Sequence, residues 1–239
     1  ITGHYVNRIQ NNGNAEMYRA TDLSRDQSYF LFSTTQEQLD FLRFPLGSLN
    51  KAETRKIASE LNLNVADKPD SQDICFVPNG DYSSVIKKFR PESFKPGKIL
   101  DVQGKQIGEH EGIINYTIGQ RKGLGVGGKI EPLFVIATDV VNNIVYTGQG
   151  HNHPGLNRKG IFISKDEVHW TRNDLKMLPG EKREYLSRIR YRQALQKATL
   201  HQFESGLYVS FEEPQSAITE GQFVAWNIDD ELVGSGVIS

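Results

Sequence analysis

Residues 131–145 read Glu-Pro-Leu-Phe-Val-Ile-Ala-Thr-Asp-Val-Val-Asn-Asn-Ile-Val. β-Branched and aromatic residues dominate this stretch, and its one break, Asn142-Asn143, has the composition of a turn. The pattern therefore predicts two strands joined by that turn. A second hairpin is indicated earlier in the chain, where Gln103-Gly104 separates the run 99–102 from the segment around Ile107. These two signals predict a β-sheet in the middle of the chain.

The β-rich pattern continues to the last residue. A joint rich in Gly and Pro, at residues 148–155, has the composition of a domain boundary. Beyond it, turn signals separate most of the short strand candidates, which predicts a small β-barrel or sandwich. Those candidates are residues 160–164, 188–193, 207–211, 223–226 and 232–238.

The first ninety residues are predicted to contain helices. Asn50 can cap one helix, with Glu53 at the reciprocal position of a capping box. The apolar residues expected to form the core face of that helix are Ile57, Ala58 and Leu61. A second helix is expected to begin at Asp81 and end before Pro91, with apolar residues spaced i, i+3, i+4, i+7. Residues 29–32 fit a short buried strand or the end of a helix.

Composition excludes several classes of protein. With 37% hydrophobic and 24% charged residues, the 239-residue chain can bury a core, so extensive disorder is not expected. A single cysteine excludes an internal disulfide framework and an all-cysteine metal site, and it fits a reducing, cytoplasmic compartment. No run approaches the roughly 20 apolar residues of a membrane helix, and no signal peptide is recognisable. Because residue 1 is isoleucine, we expect a processed, truncated or partly observed form of a longer protein.

The formal net charge of −1 conceals an uneven distribution. Residues 80–130 hold nine Lys and Arg against five Asp and Glu, and residues 180–199 hold six against two, so each stretch has a net charge of +4. Residues 200–239 hold seven acids and no Lys or Arg, a net charge of −7. One basic stretch is ordinary solvated surface, but two of them make an anionic partner worth considering.

Two familiar motif patterns are weak here. Residues 123–128 have the spacing G-x-G-x-x-G, but a proline and strand-forming residues follow where a dinucleotide site requires a helix. We therefore reject a dinucleotide site and keep two readings, a phosphate-contacting loop or a plain glycine turn. His151-x-His153 has no Cys and no third His near it in sequence, which disfavours a metal site.

Two other features leave alternatives open. Arg188, Arg190 and Arg192 alternate along residues 188–193, so on a strand three guanidinium groups would share one face and could contact phosphates. The alternative is a charged edge strand that resists aggregation. Cys75 lies in a polar, Pro-broken loop, where a reactive thiol is more common than in a core, yet a lone cysteine is more often a small buried hydrophobe.

Several segments, in order along the chain, resemble the tRNA-specific 2-thiouridylases, the MnmA/TrmU family. The segments are Thr2-Gly3-His4-Tyr5, Arg25-Asp26-Gln27-Ser28-Tyr29-Phe30-Leu31, Asp70-Ser71-Gln72-Asp73-Ile74-Cys75-Phe76, Gly108-Glu109-His110-Glu111-Gly112, Thr117-Ile118-Gly119-Gln120-Arg121-Lys122-Gly123-Leu124-Gly125, Gly150-His151-Asn152-His153-Pro154 and Arg190-Tyr191-Arg192-Gln193. Any one string is modest support, but the ordered set is specific.

The resemblance implies ATP-dependent (with Mg) sulfur transfer to C2 of the wobble uridine of tRNAs for Lys, Glu and Gln. Adenylation of the C2 oxygen would create a leaving group, and a persulfide on Cys75 would supply the sulfur. A cysteine desulfurase or a sulfur-relay protein would load that persulfide. In the family a second, earlier cysteine acts as the partner nucleophile. By the same resemblance, Gly3 would bind ATP, and the tRNA contacts would be His4, Arg25, Asp26, Gln27, Arg190, Tyr191 and Gln222.

The resemblance also implies an α/β plus β fold in three parts. Residues 1–79 would be the C-terminal part of an adenine-nucleotide α-hydrolase-like (PP-loop) domain, residues 80–154 a small mixed central domain, and residues 155–239 a C-terminal β-barrel. The family's Ser-Gly-Gly-x-Asp-Ser pyrophosphate loop and earlier cysteine do not occur in this sequence. We therefore expect that these residues alone cannot adenylate tRNA.

Two other functions stay open on sequence grounds. A non-enzymatic tRNA-binding module with an inert Cys75 would account for the basic stretches equally well. A hydrolase with Cys75 as nucleophile and one of the six histidines as base is the third reading.

Overall fold

A computed structural model describes residues 1–64, 77, 82–128 and 130–239. Contacts divide the chain into two compact units: residues 1–68, 159–213 and 220–239 form the first, and residues 69–158 and 214–219 form the second. The three-part division expected from sequence, 1–79, 80–154 and 155–239, stays a prediction.

Sheet dominates the described residues, with three α-helices. The helices are α1 (Gln36–Phe41), α2 (Lys51–Glu60) and α3 (Tyr82–Phe89). The strands are β1 (Val6–Asn11), β2 (Asn14–Arg19), β3 (Gly97–Leu100), β4 (Gln106–His110), β5 (Leu133–Asp139), β6 (Ile144–Gln149), β7 (Asn157–Ser164), β8 (Val168–Trp170), β9 (Lys182–Arg188), β10 (Gln196–Phe203), β11 (Gly206–Ser216), β12 (Phe223–Ile228) and β13 (Glu231–Val237). Short 3-10 helices occupy Ser28–Leu31, Pro91–Phe94, Ile113–Asn115, Lys165–Glu167 and Asn173–Leu175.

The first unit is built on one nine-stranded sheet that joins the two ends of the chain. Its strand order is β1-β2-β13-β12-β9-β10-β11-β7, and β8 pairs with β13. The β1–β2 hairpin turns at Asn12 and Gly13, whose φ angles of +48° and +87° are those a tight hairpin turn needs. No hairpin was predicted at this position, although Asn-Gly is a strong hairpin-turn signal. Because β2 pairs with β13, the start of the chain is fixed against its end.

The core of this unit lies along the seam between the hairpin and the later strands. Its buried cluster consists of Val6, Ala15, Met17, Tyr29, Leu39, Ala225 and Leu232. Beside it, Arg172 forms ion pairs with the buried carboxylates of Glu16 and Glu231, one from β2 and one from β13. Burial raises the pKa of Glu231, and burial together with the hydrogen bond to Glu16 raises the pKa of Tyr18 to about 12. The seam therefore combines apolar packing with a buried ion cluster.

The second unit contains a four-stranded sheet in the order β4-β3-β6-β5. Both hairpins predicted from sequence are present: β3 pairs with β4, and β5 pairs with β6 through a turn in which Asn143 has φ +56°. The core of this unit is formed by Ile99, Leu124, Leu133, Val135 and Val145. Residues 123–128 form a loop. The next element in the described part of the chain is the strand β5, whereas a dinucleotide motif requires a helix after its glycines.

The helix predictions were partly right. The capping box of α2 is confirmed, since the Glu53 amide donates to the Asn50 side chain at 2.9 Å and the Asn50 amide donates to the Glu53 carboxylate at 2.8 Å. The predicted core face of α2 is wrong, because Ile57 and Leu61 are 42% and 65% exposed. Residues 29–32 lie in and just after a 3-10 helix rather than in a strand. In the described part of the chain, no helix has the length and apolar character needed to cross a membrane.

Candidate functional site

The segment Thr2–Tyr5 is held against the segment Arg25–Gln27 by two backbone-directed hydrogen bonds. The Tyr5 amide donates to Gln27 Oε1 at 2.9 Å, and the Gln27 amide donates to the Tyr5 carbonyl at 3.0 Å. The side chain of His4 lies 2.6 Å from the Thr2 hydroxyl through Nδ1. Gly3 is exposed. The predicted ATP position and four predicted tRNA positions, His4, Arg25, Asp26 and Gln27, therefore lie in neighbouring segments.

Asp26 is buried, with 2% of its surface accessible. One carboxylate oxygen accepts hydrogen bonds from the Ala20 and Ser28 amides, and the other accepts from the Ser28 hydroxyl at 3.0 Å and from Arg188 at 2.9 Å. Arg19 Nε lies 3.6 Å from the same carboxylate. All of these partners belong to the first unit, so the Asp26 side chain holds this unit together and presents almost no surface to a ligand.

The prediction of a strand over residues 188–193 is wrong. β9 ends at Arg188, residues 189 and 190 form a bend, and residues 191 and 192 form a turn that leads to β10. Arg188 is 3% exposed and points to Asp26, while Arg190 and Arg192 are exposed. The expected ridge of three guanidinium groups therefore does not exist. The physical reason is that a buried carboxylate far away in the sequence pairs with the first arginine.

Tyr29 joins the Ser28–Leu31 helix to two other segments. Its hydroxyl donates to the Phe223 carbonyl at 2.9 Å and lies 3.1 Å from the Ile189 carbonyl, and the Arg188 guanidinium lies 5.3 Å from its ring centroid. Burial raises the pKa of Tyr29, and the positive charges of Arg188 and Arg190 oppose that rise. The tyrosine therefore stays protonated at neutral pH and fixes these segments as a donor.

An aromatic pair lies at the surface beside this anchor. The rings of Phe30 and Tyr191 are 4.4 Å apart between centroids and tilted by 36°, and the Tyr29 ring meets Phe30 edge-on at 6.0 Å. Phe30 is 54% exposed, whereas Tyr191 is partly buried against the core cluster. The predicted tRNA residue Tyr191 is thus in contact with Phe30, which lies three residues after the predicted tRNA positions Arg25, Asp26 and Gln27.

Gln222 precedes the strand to which Tyr29 is bonded. Its carbonyl accepts from the Ile238 amide at 2.8 Å, and its side-chain oxygen is buried without a hydrogen-bond partner among the described residues. Because Phe223 receives the Tyr29 hydroxyl, Gln222 lies one residue from the anchor. The predicted ATP and tRNA positions thus come from four separate segments, which we call the connected face: residues 2–5, 25–31, 188–193 and 222–223.

Three contacts create the connected face, and none of their roles was foreseen from sequence. The Asp26–Arg188 pair, the Tyr29 hydroxyl and the Tyr5–Gln27 bonds all join residues more than twenty positions apart. An Asp beside an Arg and a Tyr beside a Phe carry no periodic signal of such pairing. Cys75, the predicted persulfide carrier, lies outside the described residues.

Metal binding has no support in the described part of the chain, where no group of three or more His, Cys, Asp and Glu could hold an ion. His153 Nδ1 accepts a hydrogen bond from the Gly155 amide at 3.0 Å, and the His151 ring contacts Phe134. These contacts give both histidines of the His-x-His pair structural partners within the second unit.

Three family models match successive parts of the chain. A tRNA methyl transferase HUP domain matches residues 1–79, a tRNA methyl transferase PRC-barrel domain matches 83–149, and an aminomethyltransferase β-barrel domain matches 161–238. Together they confirm the α/β plus β fold class, with a HUP part, a central domain and a β-barrel in that order. Their descriptions mention methyl transfer, so the question of activity needs full-length relatives.

Proteins named tRNA-specific 2-thiouridylase MnmA match all of the chain. The relative from Flavobacterium johnsoniae is 46% identical over 276 residues, and that from Christiangramia forsetii is 47% identical over 274 residues. The relative from Rickettsia massiliae is 47% identical over 239 residues. The chain belongs to the tRNA-specific 2-thiouridylase family.

Membership confirms the resemblance seen in the sequence and makes the chain a member of a family of tRNA sulfurtransferases. The chain covers 69% of the length of the first two of these 2-thiouridylases and 63% of the third. Identity at this level over the whole chain is a closer match than a domain description, so tRNA thiolation rather than methyl transfer is the activity to which the family points.

Proposed function

We propose that this protein acts in ATP-dependent transfer of sulfur to C2 of the wobble uridine in tRNAs for Lys, Glu and Gln. The connected face would hold tRNA, and Cys75 would carry the sulfur as a persulfide. A cysteine desulfurase or a sulfur-relay protein would load Cys75. The reaction would take place in the cytoplasm.

The observation that supports this proposal most is the clustering of the predicted contact positions. They come from four segments of the sequence, and hydrogen bonds between the segments hold them side by side in one unit. Exposed Arg190, half-exposed Phe30 and the neighbouring polar side chains are the groups that phosphates and bases require. Surface residues without a shared role would have no reason to lie on segments that hydrogen bonds join together.

The individual roles follow from exposure. Arg190 is exposed and suits a phosphate contact. Gln27 holds the segment Thr2–Tyr5 in place, because its side-chain oxygen accepts a hydrogen bond from the Tyr5 amide. Asp26 suits a positioning role, because its buried carboxylate orders Ser28 and Arg188. Gln222 has a buried side-chain oxygen without a hydrogen-bond partner among the described residues, so it keeps an acceptor that a ligand donor could use.

The ATP part of the proposal rests on fewer residues. When bound, ATP supplies the adenylyl group that turns the C2 oxygen of uracil into a leaving group. Gly3 is exposed, and an added Cβ would make only an ordinary contact, with Leu46 Cδ1 at 3.8 Å, so the backbone at this position is accessible to a ligand. Mg would be held by the ATP phosphates, since among the described residues no group of three or more His, Cys, Asp and Glu could hold a metal ion.

The test of sulfur loading is an intact-mass measurement after incubation with a cysteine desulfurase and free cysteine. The chain has one cysteine, so any added sulfur is assigned without ambiguity. We expect a mass gain of one sulfur atom that a reductant reverses and that Cys75→Ser abolishes. A wild-type chain that gains no sulfur, while the same desulfurase loads a known acceptor, would contradict the persulfide role.

The two remaining readings predict different outcomes of related experiments. A non-enzymatic tRNA-binding module would bind tRNA in a salt-dependent way before and after Cys75→Ser, with no sulfur ever found on the protein. A Cys75 hydrolase would be trapped as an acyl-enzyme by an ester or amide substrate. We propose sulfur transfer over both, because the relatives that match the whole chain are named 2-thiouridylases.

A further inference from the structure

We infer that Phe30 and Tyr191 form a stacking site for one unpaired nucleobase of the tRNA, with Phe30 as the contacting ring. The inference rests on the proposed function, because it assigns a part of the tRNA to a part of the connected face. Phe30 is not among the positions that sequence resemblance predicts to contact tRNA.

The first argument is that Phe30 is exposed but ordered. Its ring is 54% accessible, yet it lies against Tyr191 at 4.4 Å and beside Tyr29 at 6.0 Å. The Phe30 amide donates to the Gln27 carbonyl at 3.0 Å, which fixes the backbone of the 3-10 helix. A ring held in this way can stack on a base without losing further conformational freedom.

The second argument is the rigidity of the support. Tyr29 is anchored by its hydroxyl to two backbone carbonyls, and Ser28 is bonded to buried Asp26. Tyr191 is packed against the core cluster, and its carbonyl accepts from the Arg188 guanidinium at 3.3 Å. Both rings of the pair are thus attached to the buried part of the unit, as a preorganised binding site requires.

The third argument is the charge around the rings. Arg190 precedes Tyr191, is exposed, and is close enough for its charge to oppose the rise that burial causes in the pKa of Tyr29. Single-stranded nucleic acid is bound by aromatic rings that stack on bases next to cations that contact phosphates. A single exposed phenylalanine is ordinary on a protein surface, but one that stacks on a second aromatic ring beside an arginine has the composition of a base-binding site.

Affinity for an unmodified tRNA transcript tests the inference with a matched pair of variants. Phe30→Leu removes the ring and keeps an apolar side chain. Phe203→Leu makes the same change at a phenylalanine that is 49% exposed and contacts Tyr208, at the far end of β10 from the turn at residues 191–192. We expect Phe30→Leu to weaken binding by about 5- to 150-fold, as loss of one stacked base does, and Phe203→Leu to have no effect.

The two proposals fail in different ways in this experiment. If the wild-type chain does not bind the transcript, the proposed function is overturned and the stacking site with it. If the wild-type chain binds and Phe30→Leu binds equally well, only the stacking site is overturned. Because no charge is changed, Phe30→Leu should also leave the salt dependence of binding unaltered.

Fluorescence of Phe30→Trp gives a readout that a loss of stability would not mimic. The natural tryptophans are buried, Trp170 at 5% and Trp226 at 0% exposure, so the introduced indole is the one that iodide can reach. We expect tRNA to quench its emission and to protect it from iodide, since a stacked base covers the ring. Binding of tRNA without either change would overturn the stacking site.

Discussion

At the scale of single residues, Asp26 determines how the connected face is built. Four hydrogen bonds, one of them from Arg188, and the nearby charge of Arg19 converge on a carboxylate that is almost fully buried. In such an environment the charge of Asp26 is the partner that makes burial of Arg188 tolerable, because a buried guanidinium without a counter-ion is costly. The energetic role of Asp26 is therefore separate from any contact with a ligand.

Replacing the carboxylate by an amide should expose this role. We expect Asp26→Asn to lower the free energy of unfolding by about 3–5 kcal/mol, since it leaves Arg188 buried without an opposite charge. The matched control is Asp230→Asn, whose side chain is 62% exposed and pairs with Arg19 at 3.0 Å. That change should cost less than about 1 kcal/mol. Urea titration of the two variants provides the comparison, and equal stabilities would show that Asp26 is not a structural charge.

At the scale of elements, the sequence predicted those features that depend on contacts between residues close together in the chain. The hairpins β3–β4 and β5–β6 and the α2 capping box were predicted because turn residues and caps act on neighbours within a few positions. The strand predicted at 188–193 is wrong because β9 ends at Arg188 and the chain turns at residues 189–192. The shared arginine face is wrong because Arg188 is paired with Asp26, a contact that no local pattern encodes. The same limit applies to the connected face: resemblance predicted some of its residues as ligand contacts, but no pattern in the sequence predicted the hydrogen bonds that join its segments.

At the same scale, the packing of β13 against its neighbouring strands depends on Gly234, a residue without a side chain. A Cβ at Gly234 would lie 2.5 Å from Trp226 Nε1 and 2.8 Å from the His169 carbonyl oxygen, closer than real contacts allow. Gly234 pairs with Trp226 of β12 and with Trp170 of β8, so an added methyl group would have to displace a buried ring or backbone. The close packing of three strands therefore requires glycine at this position.

We expect Gly234→Ala to lower the free energy of unfolding by about 1–3 kcal/mol through overpacking and to change the near-UV circular dichroism of the tryptophans. Gly160→Ala is the control, because an added Cβ at Gly160 in β7 has no atom within 4 Å. Its stability should stay within about 0.5 kcal/mol of the wild type. A Gly234→Ala chain as stable as the control would mean that β12 and β13 can separate at little cost.

At the scale of the whole molecule, the near-zero net charge is the sum of opposed regions. Residues 180–199 carry +4 and residues 200–239 carry −7, and the two regions supply neighbouring strands of one sheet. The exposed cations of the first region include Arg190 and Arg192, which follow β9, and Lys182, which begins it. The binding of an anionic ligand should therefore depend on where a cation lies on this unit and not on the net charge of the protein.

The salt dependence of tRNA binding can separate the effect of a cation's position from the effect of the net charge. We expect Arg190→Ala to reduce the slope of log affinity against log salt concentration by about 0.7–0.9, because one phosphate contact and its counter-ion are lost. Lys182→Ala removes the same charge from the other end of β9, about 20 Å away for a strand of seven residues, and should leave the slope unchanged. Affinities measured for one tRNA transcript between 50 and 200 mM salt, roughly the range in which such slopes are resolved, decide the matter. Equal reductions for both variants would mean that the unit attracts tRNA by its overall field, and the connected face would then lose its electrostatic support as the binding site.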